Sequence, residues 1–171
     1  MFQIKSTVVL LLVLAALWGT SCKKQNILYE HEIAITNESW HQDSIAKFQV
    51  EVDNSNTFYN IHITLTNSNL YPRQNIWLFV KTSSTGAIVQ HDTIAYYLAN
   101  EHGKWYGKEK GELWENPLPF KQAVKFKEKG TYTFEIQQGM RYESLPGLSK
   151  VGIRIEETDI ELLQQQQEKN K

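Results

Sequence analysis

Residues 59–66 read YNIHITLT. Tyr59, Ile61, Ile63 and Leu65 alternate there with Asn60, His62, Thr64 and Thr66. Successive side chains of a strand point to opposite faces, so this pattern predicts a strand with one face in a core and the other toward water. The same period returns at Phe48, Val50 and Val52, which alternate with Lys47, Gln49 and Glu51. It returns again after Gly130, where Tyr132, Phe134 and Ile136 alternate with Thr131, Thr133, Glu135 and Gln137, and finally at Val151, Ile153 and Ile155.

Working outward, residues 75–81, NIWLFVK, are apolar on both parities, which predicts a central strand covered on both faces. Tyr71-Pro72 marks the turn before it, because proline disfavours helix at the residue it follows. Ser83-Ser84-Thr85-Gly86 reads as a hairpin turn leading to strands at 87–91 and 93–98, with His91-Asp92 at a turn between them. No amphipathic helix of ten or more residues is visible between Ile27 and Glu156. About eight short strands with turn signals every 8–12 residues predict an all-β chain folded as one antiparallel β-sandwich, jelly-roll-like, with an open barrel as the structural alternative.

The N-terminal segment has a different character. Met1-Phe2-Gln3-Ile4-Lys5 is followed by an apolar run from Val8 to Trp18, then by small residues Gly19, Thr20 and Ser21, and then by Cys22, the single cysteine of the chain. A short charged head, an apolar stretch and small residues make a secretory signal. As a helix the stretch from Thr7 to Trp18 would extend about 18 Å, short of the roughly 30 Å that a spanning helix must cross. A lone exported thiol directly after such a run has no disulfide partner. It resembles a bacterial lipoprotein signal, in which the cysteine becomes the acylated first residue of the mature chain, although Gly19 holds the place where the commonest lipobox has leucine. The alternative is an ordinary secreted protein cut nearby. The expected organisation is a signal peptide at 1–21, a lipidated tether at 22–27, the sandwich at 28–157 and a polar, Gln-rich tail at 158–171.

Lys5 is the one basic residue lost with the signal, which leaves 17 basic against 19 acidic side chains, a formal charge of −2. A nucleic-acid binder would carry a basic stripe, so nucleic acid is not expected as a partner. The membrane is expected as one, through lipid on Cys22. Lys23-Lys24 lacks the aspartate that retains lipoproteins at the inner membrane, and no acidic run of the kind associated with surface export follows. Both features point to the outer membrane, facing the periplasm.

Catalytic chemistry finds little support. Gly147-Leu148-Ser149-Lys150-Val151-Gly152 places its second glycine one residue late for a nucleophile elbow. His31-Glu32 lacks the second histidine of a zinc-protease helix, its place being held by Ile35. His62 sits on the polar face of its strand and is expected to be solvated. Neither His41 with Asp43 nor His91 with Asp92 has a second ligand at a diagnostic spacing, so no metal and no cofactor is expected.

Residues 100–120, NEHGKWYGKEKGELWENPLPF, are expected to form a long structured loop, broken by Gly103, Gly107 and Gly111. Trp105, Tyr106 and Trp114 within it are candidate partner-binding residues, because rigid aromatic faces bury at interfaces and stack on sugars. The competing role for these rings is to fold back and close the end of the sandwich, and Trp105 inside GKWYG fits that role better than Trp114 does. Asp43-Ser44-Ile45 and Asp92-Thr93-Ile94 share a form that resembles the O-glycosylation motif of exported Bacteroidetes proteins, with Ser44 and Thr93 as acceptors; Asp before Ser or Thr is also a common turn signal.

The ordered set YPRQNIWLFV, DTIAYYLA, GKWYG, GTYTFEIQQGMR and VGIRIE resembles the gliding-motility lipoprotein H family of the Bacteroidetes, from about residue 29 to residue 156. The resemblance implies a cell-envelope lipoprotein needed for gliding, a process tied to the type IX secretion system, without enzymatic activity. Together with the lipid anchor and the sandwich it leads to the expectation of a noncatalytic component working through protein contacts. The family's motif positions correspond to Asp92, Thr93, Gly103, Lys104, Trp105, Gly107, Gly130, Tyr132, Met140, Arg141, Gly152 and Arg154. Many of these suit a scaffold role, with the glycines for backbone angles, Tyr132 for the core and Arg154 for a cross-strand pair. An envelope-anchored carbohydrate-binding module, its glycan held by Trp105, Tyr106 and Trp114, is the alternative function.

Overall fold

A computed structural model describes residues 26–85 and 89–158. Its strands are β1 (Ile27–Ala34), β2 (Ser39–His41), β3 (Ala46–Val52), β4 (Phe58–Ser68), β5 (Asn75–Ser84), β6 (Val89–Tyr97), β7 (Lys108–Lys110), β8 (Leu113–Val124), β9 (Gly130–Gln138), β10 (Ser144–Pro146) and β11 (Leu148–Thr158). A five-stranded sheet in the order β1-β11-β4-β8-β7 faces a four-stranded sheet in the order β3-β9-β5-β6, while β2 and β10 pair by themselves. All pairings are antiparallel. The chain is the all-β sandwich its alternations predict.

The stretch YNIHITLT is the middle of β4, with β11 on one side and β8 on the other. Tyr59, Ile61, Ile63 and Leu65 are all buried. In register with them on β11 stand Ile155, Ile153 and Val151. The opposite sheet supplies Phe48, Val50, Ile76, Leu78, Val80, Phe134 and Ile136 to the same core. Each such side chain contributes about 1.5–3 kcal/mol relative to leaving it in water. A one-residue slip of β4 would turn its whole apolar row outward, so this burial also fixes the register.

Four expectations need correction. Strand β5 is central in its sheet, yet only Ile76, Leu78 and Val80 are covered; Trp77 is 44% and Phe79 47% exposed. The sequence 93–98 does not begin a new strand, because β6 runs unbroken through Asp92, which stands opposite Val80. Residues 100–120 are not all loop, since β7 and β8 form a hairpin that places Trp114 and Phe120 on a strand. Pro117 and Pro119 are tolerated in β8 because β7 pairs only with residues 113–115, leaving the rest of that edge without a ladder to donate to. His62 is not a solvated histidine: its side chain is 21% exposed and its Nδ1 lies 3.9 Å from the Glu156 carboxylate.

The connections sort into two ends. Glu157 donates its backbone N–H to the Asn26 carbonyl at 2.8 Å, so β1 begins beside the end of β11. The β3–β4, β5–β6 and β8–β9 connections lie at that same end, where Phe58 pairs with Thr158 and Tyr59 with Val124. At the other end of β4, Ser68 stands opposite Leu113 and Asn67 opposite Trp114. A strand of 11 residues spans about 35 Å, which separates the two ends.

Candidate functional site: the aromatic end

The chain leaves β6 through Leu98 and Ala99, both buried. Asn100 then closes a turn on itself. Its side-chain oxygen accepts the amides of His102 at 3.0 Å and Lys104 at 2.9 Å, while Gly103 adopts a φ of 78° that suits a residue without Cβ. Beyond the turn, Trp105 bridges back to Ala99, and Tyr106 donates its amide to the Leu98 carbonyl at 2.8 Å. Trp105 is thereby carried across the end of the sandwich.

Its indole packs against two rings, Tyr71 at 6.2 Å and Trp114 at 6.0 Å between centroids, in tilted arrangements. The indole N–H donates to Asn69 Oδ1 at 3.0 Å. Such ring pairs add about 0.5–1.5 kcal/mol beyond the area they bury. Tyr71 is buried and donates its hydroxyl to the Asn75 carbonyl at 2.9 Å; that burial pushes the phenol well above its ordinary pKa. Trp114 is held from beneath by Asn116, a buried amide whose Nδ2 donates to the carbonyls of Leu65 at 3.1 Å and Trp114 at 3.0 Å and to Asn67 Oδ1 at 2.9 Å. Gly107 lies against that amide, where a Cβ would come within 2.7 Å of Asn116 Oδ1.

The structure therefore brings Trp105 and Trp114 together, half-buried in one stack with Tyr71. It leaves Tyr106 apart, 63% exposed. Ser44 is exposed in the β2–β3 turn, its carbonyl accepting the Trp40 indole N–H at 2.8 Å. Thr93 is exposed on β6 opposite Phe79. Cys22 lies outside the described residues. Among the described residues no group of three His, Cys, Asp or Glu is placed to hold a metal ion.

A second exposed surface escaped the sequence reading. Trp77 and Phe79 project from the outer face of β5, flanked in register by Ala95 and Thr93 of β6 and by Gln137 of β9. Tyr97, 73% exposed, continues the row. Gly139 passes beneath Phe79, where a Cβ would approach the ring to 3.1 Å, and the Trp77 amide donates to the Met140 thioether at 3.3 Å. The signal that marks this face as open is in the neighbour: Thr131, Thr133, Glu135 and Gln137 of β9 share it, and a covered face would not carry four polar residues in a row.

Several motif positions have visible scaffold contacts. Arg154 donates to Glu30 and to Glu156, each at 2.9 Å, and these carboxylates raise its pKa further. Gly152 has the His31 carbonyl and Thr64 Oγ1 each 2.5 Å from where a Cβ would stand. Asp92 meets Lys121 of β8 at 2.8 Å.

Among solved structures, the chain superposes loosely on infectious bursal disease virus Gx strain, at a TM-score of 0.36 and 13% identity over 80% of this chain and 32% of that one, a likeness that carries no functional argument. Sequence relatives are closer. The gliding motility lipoprotein GldH of Flavobacterium johnsoniae is 33% identical over 156 residues, covering 87% of this chain and 96% of the relative. The gliding motility lipoprotein GldH homolog of Christiangramia forsetii is 33% identical over 147 residues, covering 82% and 89%. The family model described as GldH lipoprotein matches residues 27–155, from the first residue of β1 into β11. The match thus runs through both sheets and the aromatic end, and this chain belongs to the GldH lipoprotein family.

Proposed function

We propose that the protein is a noncatalytic, lipid-anchored component of the cell envelope that serves gliding motility together with type IX secretion, through protein contacts. The observation that carries this reading is the pair of relatives with gliding-motility names, each 33% identical over more than four fifths of this chain. Residues 1–21 act as the signal peptide, and Cys22 carries the lipid that holds the sandwich at the outer membrane, facing the periplasm. Asn26 is only four residues from Cys22, and it lies at the end of the sandwich opposite Trp105 and Trp114. The aromatic end is therefore presented away from the anchor, with Tyr106 and the open side of Trp114 as the contact surface. Sugar stacking is the weaker reading, because Trp105 spends its ring on Tyr71 and Trp114 within the domain.

Deletion of the gene tests the reading. Colony spreading and secretion of type IX substrates should both fail, and both should return with the native gene but not with Cys22→Ser. Normal spreading and secretion in a deletion strain with no second copy would overturn it.

A further inference from the structure

One strand pairing of the five-stranded sheet is irregular near its end. Pairing of β8 with β4 shifts register between Tyr59 and Ile61 and again between Ile61 and His62. There Ala123 adopts a φ of 49°, in the left-handed region, and its amide is taken by Asn60 Oδ1 at 3.0 Å. A non-glycine residue persists in that region only where its surroundings fix it, and such strain gathers at functional sites. Beside this kink a cavity of about 290 Å³ opens between the sheets.

Its lining is of two kinds. Ile61, Phe120, Val124, Phe126 and Phe134 make an apolar interior, while the charged side chains are Lys121, Lys125 and Lys127, with no carboxylate among the lining residues. Lys121 is committed to Asp92. Lys125 and Lys127 are exposed, and neither forms an ion pair with a carboxylate among the described residues. The Lys125 ammonium rests over the Phe58 ring, 4.5 Å from its centroid. An apolar interior with two cations free of carboxylate partners at its edge matches an amphiphile with a hydrocarbon chain and an anionic head. The volume lies just under the roughly 300–1,000 Å³ of small-molecule sites, which suits a single slender chain.

Position names the source. Tyr59 pairs with Val124 on one side and Glu157 on the other, and Glu157 holds Asn26. The four residues from Cys22 to Asn26 can span at most about 14 Å. With Cys22 acylated, the connection that carries Lys125 and Lys127 lies at the end of the sandwich that faces the bilayer. We infer that this cavity takes an acyl chain of an anionic membrane lipid, its headgroup held by Lys125 and Lys127. The orientation rests on the proposed anchor; the chemistry of the cavity does not.

The test uses the mature chain from residue 22 with Cys22→Ser, which bears no covalent lipid, and vesicles of phosphatidylcholine with or without phosphatidylglycerol. Binding to the anionic vesicles should be at least about tenfold tighter than to neutral ones, as two lysines at a charged surface provide. Lys125→Glu with Lys127→Glu should abolish that preference, and Thr82→Phe, which fills the cavity, should weaken binding to the anionic vesicles. Equal binding to both vesicles, or anionic binding that Thr82→Phe leaves unchanged in a variant with native melting behaviour, would overturn the proposal. Fatty-acid labelling at Cys22 is scored separately, so the anchor and the cavity fail or stand independently.

Discussion

Asp92 on β6 and Lys121 on β8 meet at 2.8 Å, tying the edge of the four-stranded sheet to the five-stranded one. Asp92 Oδ1 receives the ammonium, while Oδ2 is buried without a partner. With side chains 20% and 29% exposed, the pair stands between the surface case, worth under about 1 kcal/mol, and the buried case, whose breakage costs about 3–5 kcal/mol. Asp92→Asn should therefore lower stability by about 1–2 kcal/mol in urea unfolding. Adding Lys121→Met should cost less than the two single changes together; strict additivity would show that the two groups do not interact.

Trp105 closes the aromatic end through Tyr71, Trp114 and Asn69. Because the ring is half-buried, Trp105→Ala should cost about 2–3 kcal/mol, below the 3–5 kcal/mol of a fully buried aromatic, and should lower the melting temperature by about 6–10 °C. Tyr106→Ala removes an exposed ring and should change stability by no more than about 0.5 kcal/mol. If Tyr106 is a contact residue, that variant is well folded and still defective in colony spreading. Wild-type stability in the Trp105 variant would remove its structural role.

These two cases show what the sequence made legible. YNIHITLT and the alternations of β3 and β9 announce half-buried strands because one face of each meets a core and the other meets water. Trp77 and Phe79 break that logic: their apolarity reads as burial, yet nothing among the described residues covers them. Asp92 reads as a turn because its reason for standing mid-strand is Lys121, 29 residues away. Pro117 and Pro119 likewise read as breakers, since sequence does not reveal which strand will have a free edge. At the aromatic end, the rings were evident in the sequence, but their partners Asn69 and Tyr71 come from the β4–β5 connection and become visible only in three dimensions.

Besides Gly107, two glycines are fixed by contact. At Gly152 a Cβ would stand 2.5 Å from the His31 carbonyl of the neighbouring strand, and β1 would have to shift to admit it. At Gly147, φ is 78° and a Cβ would strike the backbone of Tyr71. Gly152→Ala should cost about 1–3 kcal/mol as overpacking, and Gly147→Ala should cost more, because backbone strain adds to the clash. Thermal unfolding of both variants against Gly111→Ala checks this, since Gly111 also has positive φ but open space around it. A loss at Gly147 no larger than that at Gly111 would mean that backbone angle alone is responsible there, and an unchanged Gly152→Ala would remove the role of contact at that site.

Glu135 on β9 offers a pH test on the outer face beside Phe79. Lys81 lies 2.9 Å from one of its oxygens and Lys47 3.5 Å from the other. The hydrogen bond from Lys81 is the largest influence and holds the carboxyl below its ordinary pKa. A carboxyl with a lowered folded pKa binds fewer protons folded than unfolded, so its stabilisation is complete above the ordinary carboxylate value and disappears as pH falls through the folded one. Lys81 is 45% exposed, so solvent screening keeps the whole effect under about 1 kcal/mol. Lys81→Met should therefore be less stable than wild type at neutral pH, and the difference should shrink toward zero as the pH is lowered through the carboxylate range. Urea unfolding of both proteins from pH 7 to pH 3 measures it, with added salt expected to narrow the gap at neutral pH. A difference that stays constant across that range would show that Lys81 acts through the packing of its methylene stem rather than through its charge.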